Sequence, residues 1–200
     1  MPVRPLVAAA ALLGAPAFAP FGVPPGARAA AGVAARDTLA PRADAPSRDA
    51  LAARLGAPHL ANNKASDDGA LLFREYIPAG ETFDNWTRML TVITVRAPAA
   101  RAVADAARRL RAARLAELQR KGVPLDDFLS ADDPGEGPTL YGTFEIGAGT
   151  EREHCVTVVH RAGAGAAEMV TFARRDRPLA KDEVAAVAAL VGIPADLVGR

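Results

Sequence analysis

The sequence predicts an α+β domain in which an antiparallel sheet of about five strands, in the order β-β-α-β-β-β-α, is covered by two helices. Three features lead to this expectation. Short segments rich in Val, Ile and Thr are separated by turns, one long segment carries apolar residues at helical spacing, and the links between the last three strands are short and rich in glycine. Short links join antiparallel neighbours, and helices then cover the apolar face of the sheet.

Two strands and a helix are predicted in the first half of the domain. Residues 71–77 form one strand, and residues 89–96 form a second, richer in Val, Ile and Thr. Both faces of the second strand are apolar, which places it centrally in the sheet. Pro98 then starts a helix over residues 99–121 that ends at Gly122. Its narrow apolar stripe consists of Val103, Ala107, Leu110 and Leu118.

Three strands and a second helix are predicted in the second half. The strands cover residues 139–146, 154–161 and 168–174, and glycine-rich turns join them as antiparallel hairpins. A helix over residues 178–191 closes the domain, and Gly192 ends it. We expect both helices to pack on the same apolar face of the sheet.

The first 29 residues have the layout of a secretory signal peptide. Arg4 precedes an uncharged apolar stretch over residues 6–18, and small residues follow. The alternatives are an uncleaved membrane anchor, against which Pro16 and Pro20 argue, and an unfolded alanine-rich start. We therefore expect an exported protein, periplasmic or secreted.

The domain boundaries follow from where the hydrophobic periodicity begins. Residues 30–67 are rich in Ala and Pro and are expected to form a linker, within which residues 47–55 could form a short helix. Strong periodicity starts only at Leu71. A single α+β domain is therefore expected over residues 68–198, long enough to bury one core.

The composition excludes several functional classes. The 24 Lys and Arg residues balance 23 Asp and Glu residues, and a net charge of +1 gives no bulk attraction to nucleic acid. A single Cys excludes an internal disulfide and a zinc finger. Since no set of nucleophile, base and orienting group is visible, we expect no enzyme, no metal and no cofactor. We also expect no nucleic-acid partner, and no membrane span once the signal is cleaved.

Charge is unevenly distributed between the long helix and the segment that follows it. Residues 99–121 carry seven basic side chains and only two acidic ones, Asp105 and Glu117, on a face expected to be solvated. Residues 122–138 carry five acidic side chains and no basic one. We expect this acidic loop to fold back along the helix and to cancel its field. The alternatives are a Ca²⁺ site in the loop, which lacks the alternating ligands of an EF-hand, and an anionic surface bound by the helix.

Two histidines and the single cysteine are the other residues with possible chemistry. His154 and Cys155 are adjacent in a predicted strand, so their side chains point to opposite faces and cannot bond directly. His154 and His160 share a face, but at about 3.3 Å per residue they lie roughly 20 Å apart, too far to share a metal ion. Structural roles are therefore expected for all three residues.

One segment carries a resemblance to other proteins. Residues 74–92 read REYIPAGETFDNWTRMLTV, in which an acidic-aromatic strand end precedes Pro-x-Gly-Glu and a tryptophan opens the next strand. This segment resembles one in small secreted bacterial proteins of unassigned function. The predicted order of strands and helices also resembles the Mog1/PsbP-like fold, an antiparallel sheet sandwiched by helices. The resemblance implies a binding or assembly factor without catalysis.

Four aromatic residues are the candidate ligand-binding residues: Tyr76, Phe83, Trp86 and Tyr141. They could line a partly open pocket, and packing in the core is the alternative. We expect an exported, non-catalytic domain that binds a protein or a component of the cell envelope. The alternative is a small-ligand-binding protein that uses an aromatic pocket near Trp86.

Overall fold

A computed structural model describes residues 47–133, 137–163 and 165–193 of the chain. These residues all belong to the compact unit Ala40–Arg200, and a second unit, Met1–Leu39, falls outside them. The predicted signal peptide and the first part of the predicted linker therefore lie outside the described residues.

The described residues form seven strands, three α-helices and two short 3₁₀ turns. In chain order the elements are α1 (Arg48–Arg54), β1 (His59–Ala65), β2 (Leu71–Ile77), β3 (Arg88–Arg96), α2 (Ala100–Arg120), β4 (Leu129–Asp133), β5 (Gly137–Ile146), the first 3₁₀ turn (Gly149–Glu151), β6 (Glu153–Arg161), β7 (Ala166–Arg174), α3 (Lys181–Ala188) and the second 3₁₀ turn (Ala189–Val191).

All seven strands join one antiparallel sheet in the order β1-β2-β3-β7-β6-β5-β4. Five of the six strand pairs are neighbours in sequence. The sixth pair, β3 with β7, joins the two halves of the sheet and runs unbroken from Arg88 to Arg96. β3 thus lies in the interior of the sheet, as its two apolar faces predict.

Helices α1 and α3 cover one face of the sheet, which we name the α1/α3 face. Leu51 and Leu55 of α1 are buried there, as are Val184 and Val187 of α3. The sheet beneath them is built from alternate strand residues, since successive side chains point to opposite faces. These residues are Tyr76, Leu90, Val92, Tyr141, Val156, Val158, Val170 and Phe172.

Local sequence signals set both ends of α1. The Ser47 hydroxyl oxygen accepts a hydrogen bond from the Ala50 N–H at 3.2 Å, which caps the start of the helix. After the helix, Gly56 adopts a φ of 73°, a conformation that glycine tolerates. A Cβ at Gly56 would displace only the flexible end of the Arg88 side chain, so the positive φ of the turn is what favours glycine there.

Helix α2 covers the opposite face, which we name the α2 face. The stripe predicted from the sequence is buried, with Val103, Ala107 and Leu118 fully covered. Beyond the helix, the Phe128 ring lies directly on Gly142 of β5, where a Cβ would collide with it. Small residues therefore let both the helix and the loop after it lie close to the sheet.

The sheet has seven strands rather than the predicted five. The two additional strands, β1 and β4, are the edges of the sheet, and their sequences HLANNKA and LSADD show no apolar alternation. An edge strand is solvated along one side, and polar or charged side chains there discourage pairing with other chains. Such strands therefore lack the signal on which a sequence prediction depends.

The helices also differ from the prediction. Besides the two predicted helices, the described residues contain α1, which matches the short helix considered for residues 47–55, and the helices lie on both faces of the sheet rather than on one. The reason is that the inner strands are apolar on both faces, so each face requires cover. Residues 47–67, which we expected in the linker, contain α1 and β1, and the folded domain includes them.

Candidate binding cleft

The four aromatic residues predicted to line a ligand pocket do not form a single group. Tyr76 and Tyr141 lie on the α1/α3 face, but β3, β7 and β6 separate their strands. Phe83 and Trp86 lie on the α2 face, where they pack with Ile77. The structure therefore brings together only Phe83 and Trp86 of the predicted set.

Other side chains already contact two of these rings. The Arg175 guanidinium lies 4.0 Å from the centre of the Trp86 indole, and Arg175 also pairs with Glu153 at 2.7 Å. Trp86 retains only 2% of its exposure. The Tyr76 hydroxyl donates to the Asp49 carboxylate at 2.9 Å. Neither ring presents an open face to a ligand.

His154 and Cys155 point to opposite faces of β6, as their adjacency in a strand requires. Cys155 packs in the core of the α2 face, where burial raises the pKa of its thiol to about 12. Since the thiolate is the nucleophile, Cys155 is unreactive near neutral pH. On the α1/α3 face, Glu145 of β5 is the cross-strand partner of His154.

A hydrogen bond between these two partners sets which ring nitrogen of His154 carries a hydrogen. Nδ1 of His154 lies 2.8 Å from the Glu145 carboxylate, which can only accept. Nδ1 therefore carries the hydrogen, and Nε2 of the neutral ring keeps its lone pair. Glu145 is 55% exposed and also lies 3.7 Å from Arg152, so its charge is shared by two partners.

A cleft of about 400 Å³ opens on the α1/α3 face beside this pair. β5 and β6 contribute one side, and the chain that leads into α3 contributes the other. Its polar side chains are Thr143, Glu145, His154 and Lys181, and its apolar ones include Leu179 and Val184. A volume of this size falls within the range of roughly 300–1,000 Å³ that small-ligand sites occupy.

Lys181 is the charged group of the cleft that has no ion-pair partner among the described residues. It is the first residue of α3 and is exposed. The nearby carboxylate of Glu183 is already bound by Arg174 and Arg177. The cleft therefore combines one unpaired ammonium group, one carboxylate that already has two partners, and an apolar wall.

Only one side of this cleft could be predicted from the sequence. The alternation of the 139–146 segment does place Thr143 and Glu145 on one side of a strand. No local pattern indicates that the start of α3 lies beside that strand, because that contact joins residues far apart in the chain. The cleft follows from tertiary packing, and sequence reasoning missed it.

The acidic segment after α2 contacts the helix, as the charge pattern predicts, although part of it is the strand β4 rather than a loop. Asp132 lies 3.4 Å from Arg108 and 3.6 Å from Arg111. Arg114 and Glu117 correct the prediction of a solvated polar face. Each is 3% exposed, and they pair with each other at 2.7 Å.

Two further properties hold for the described residues. In these ranges, no group of three or more His, Cys, Asp or Glu side chains is placed to hold a metal ion. Across the same ranges, no helix has both the length and the apolar character needed to cross a membrane.

Comparison of this chain with known protein families, with curated proteins and with solved structures found no match. The functional residues are therefore assigned on their geometry in this chain.

Proposed function

We propose that this chain is an exported, non-catalytic domain that binds an anionic, partly apolar component of the cell envelope in the cleft beside α3. The signal-like order of residues 1–29 supports export. N-terminal sequencing of protein recovered from the periplasm would test it, and an intact Met1 would contradict it. The observation that carries the binding proposal is the cleft that holds the unpaired Lys181.

The charges and surfaces of the cleft define the ligand. Glu145 already has Arg152 and His154 as partners, so an incoming cation gains little there. Lys181 is exposed at the cleft and offers an ammonium group to a carboxylate or phosphate. Leu179 and Val184 offer an apolar surface beside it. The cleft therefore suits an acyl chain or similar apolar group that ends in an anion.

The residues of the cleft favour binding over catalysis. A general base needs a nucleophile or a substrate proton within about 3 Å. The single cysteine of the chain, Cys155, lies beside His154 in sequence but points to the opposite face of the sheet. Thr143 adds a hydroxyl, but an unactivated threonine is a weak nucleophile. His154 instead holds Glu145 in place through its Nδ1 hydrogen bond.

A protein partner and a pocket near Trp86 have less support. The large exposed hydrophobic residues of the described chain are Leu60 and Leu129, and they lie on β1 and β4, at opposite edges of the sheet. They cannot form one apolar patch, which a protein interface usually requires. The alternative site at Trp86 is closed by Arg175.

Octanoate is a probe with the proposed chemistry, and octylamine and octanol are its matched controls. In an NMR titration we expect octanoate to shift resonances of the cleft residues, and the two controls to have little effect. Lys181→Met keeps the stem and removes the charge, and it should weaken octanoate binding by about tenfold. Lys64→Met on the edge strand β1 is the control variant, since Lys64 lies outside the cleft.

Three outcomes would contradict the proposal. Absence of any localised shift with octanoate argues against binding in the cleft. Shifts centred on Trp86 would favour the aromatic site instead. Equal weakening by Lys181→Met and Lys64→Met would show that the lysine acts only through bulk charge.

A further inference from the structure

A buried polar cluster lies under the start of α1, at the opposite end of β6 from the cleft. It contains Arg48 of α1, His160 of β6 and Glu168 of β7, with Thr94 of β3 beside them. His160 and Thr94 are the cross-strand partners of Glu168 on its two sides. The three strand residues thus form one row on the α1/α3 face, and Arg48 reaches the row from the helix.

Glu168 is the centre of the cluster, and both of its oxygen atoms are engaged. Arg48 Nε donates to Oε2 at 2.7 Å, and the Thr94 hydroxyl donates to Oε1 at 3.0 Å. Both oxygen atoms of Glu168 therefore act as acceptors, because both partners donate. The Arg48 contact also fixes the first residue of α1 to the sheet.

His160 faces this carboxylate without bonding to it. Its Nδ1 lies 3.0 Å from the main-chain oxygen of Arg161, which can only accept, so Nδ1 carries the hydrogen. Nε2 therefore keeps its lone pair, and it lies 3.8 Å from Glu168 Oε2. Two acceptors that face each other form no hydrogen bond.

Two buried nitrogen atoms in the cluster have no hydrogen-bond partner among the described residues: His160 Nε2 and Arg48 Nη1. The His160 side chain is 8% exposed, and that of Arg48 is 13% exposed. Burial and then the positive charge of Arg48 lower the pKa of His160, and these effects outweigh the opposing influence of Glu168. The neutral imidazole is therefore the form that fits the closed cluster.

We propose that this cluster is an acid-sensitive tether, which holds α1 on the sheet near neutral pH and weakens its hold when the medium is acidified. A protonated His160 would place a second cation against the one carboxylate, and a buried net positive charge is unfavourable. His160 and Glu168 sit on paired inner strands and cannot separate. Arg48 belongs to a short helix and can move into water, so α1 is the element that is released.

The groups that surround His160 support a weaker hold on α1 at low pH. Glu168 of β7, Thr94 of β3 and Arg48 of α1 all belong to the cluster that contains it. Its own strand supplies the main-chain carbonyl of Arg161. The acidic residue of the first turn of α1, Asp49, is bound to the Tyr76 hydroxyl on β2. Glu168 is thus the carboxylate for which Arg48 and a protonated His160 would compete.

The sign of the pH effect follows from linkage. In the closed cluster, burial and Arg48 hold the pKa of the imidazole below its ordinary value of 6.5, and release of α1 removes both of these effects. The open state therefore binds a proton that the closed state does not, and opening becomes more favourable as the pH falls below about 6.5. Release of α1 would uncover the apolar residues beneath Leu51 and Leu55.

Hydrogen exchange on the full chain at pH 7.5 and pH 5.0 tests the tether. The probes are the α1 amides of Leu51 and Leu55, with the α2 amide of Val103 as an internal reference. After correction for the intrinsic exchange rates, we expect protection in α1 to fall by about tenfold at pH 5.0, with little change in α2. Equal loss in both helices would indicate global unfolding and would overturn the proposal.

Three variants separate the tether from general acid sensitivity. His160→Asn should abolish the fall in α1 protection at pH 5.0, whereas His154→Asn, on the same face of the same strand, should retain it. Arg48→Gln should loosen α1 at both pH values but remove the acid response, because a protonated His160 can then pair with Glu168 alone. An unchanged acid response in His160→Asn would refute the tether.

Discussion

Arg114 and Glu117 illustrate how individual charged residues are held inside this domain. Arg114 Nη1 donates to Glu117 at 2.7 Å, and its guanidinium lies 5.0 Å from the centre of the Phe144 ring. Burial alone would raise the pKa of Glu117, but Arg114 and Lys121 together lower it, and the lowering prevails. Glu117 is therefore ionised at neutral pH. Removal of Glu117 would leave the buried Arg114 guanidinium without its acidic partner.

Glu75 is a carboxylate in the opposite situation. It is 6% exposed on β2, and its one hydrogen-bond donor among the described residues is Asn62 Nδ2 at 3.0 Å. Burial raises the pKa of Glu75, and the Asn62 bond and the charge of Lys64 only partly offset that rise. The ionised form therefore costs free energy in the native state at neutral pH.

Glu75→Gln should stabilise the protein at pH 7. The native pKa of Glu75 lies above its ordinary value of 4.5, so the native state binds the proton more tightly, and the stability this confers is lost as the pH rises through the native pKa. Glutamine keeps the oxygen that accepts from Asn62 and removes the charge. Urea denaturation from pH 4 to pH 8 should show a gain at pH 7 that disappears toward pH 4.

The control for this prediction is Glu151→Gln, since Glu151 is exposed in the first 3₁₀ turn. Its free energy of unfolding should stay within about 0.5 kcal/mol of the parent at every pH. A Glu75→Gln variant that is less stable than the parent at pH 7 would show that the carboxylate has a stabilising partner.

At the scale of elements, side chains of α2 contact β4, which is one edge strand of the sheet. Arg108 and Arg111 both approach Asp132, and Arg111 Nη1 also donates to the Ala131 carbonyl at 3.1 Å. The helix thus covers part of an edge strand that would otherwise be available to other chains. Ion pairs this exposed contribute little to stability, so their main effect is on the surface field.

Neutralising the acidic segment should expose the charge of α2. The variant replaces Asp126, Asp127, Asp132 and Asp133 by Asn. We expect it to bind heparin at low salt, since the arginines of the helix lose their counter-charges, and to elute near physiological salt, where the Debye length is about 8 Å. The parent protein should not bind heparin. The salt concentration at which each protein elutes from a heparin column measures the difference.

A matched variant distinguishes local screening from net charge. Neutralising Asp67, Asp84, Glu151 and Asp182, which are exposed elsewhere, changes the net charge by the same amount. It should bind heparin more weakly than the Asn variant of the acidic segment. Strong binding by the parent itself would mean that the segment does not screen the helix.

At the scale of the whole molecule, the sheet is closed on each face by different parts of the chain. Helix α2 comes from the middle of the sequence, whereas α1 and α3 come from the two ends of the described domain. Leu51 and Leu55 retain 1% and 3% of their exposure against the sheet. The N-terminal helix is therefore part of the core rather than an appendage.

Truncation tests this organisation. A chain that begins at Ser47 should melt within a few degrees of one that begins at residue 30. A chain that begins at Leu71 lacks α1 and β1, and loss of buried Leu51 and Leu55 alone should cost about 1.5–3 kcal/mol each. Calorimetry compares the three chains. An unchanged melting temperature for the Leu71 chain would show that α1 and β1 add no stability.

The class of the domain and its inner elements could be predicted from the sequence. Six elements lie within two residues of their predicted bounds: β2, β3, β5, β6, β7 and α2. Inner strands and long helices are easy to predict because their apolar residues recur at a regular spacing. The contact between the basic helix α2 and the acidic segment could also be predicted from the sequence, because the two are adjacent in the chain.

Which residues meet across the chain could not be predicted from the sequence, because it depends on how distant elements pack. The predicted aromatic group separates onto two faces, whereas Glu145, His154 and Lys181 meet in a cleft and Arg48, His160 and Glu168 meet under α1. The physical reason is that local period fixes the face a side chain occupies but not the element that packs against it. That choice follows from burying both faces of one sheet at once, which no short segment of the sequence encodes.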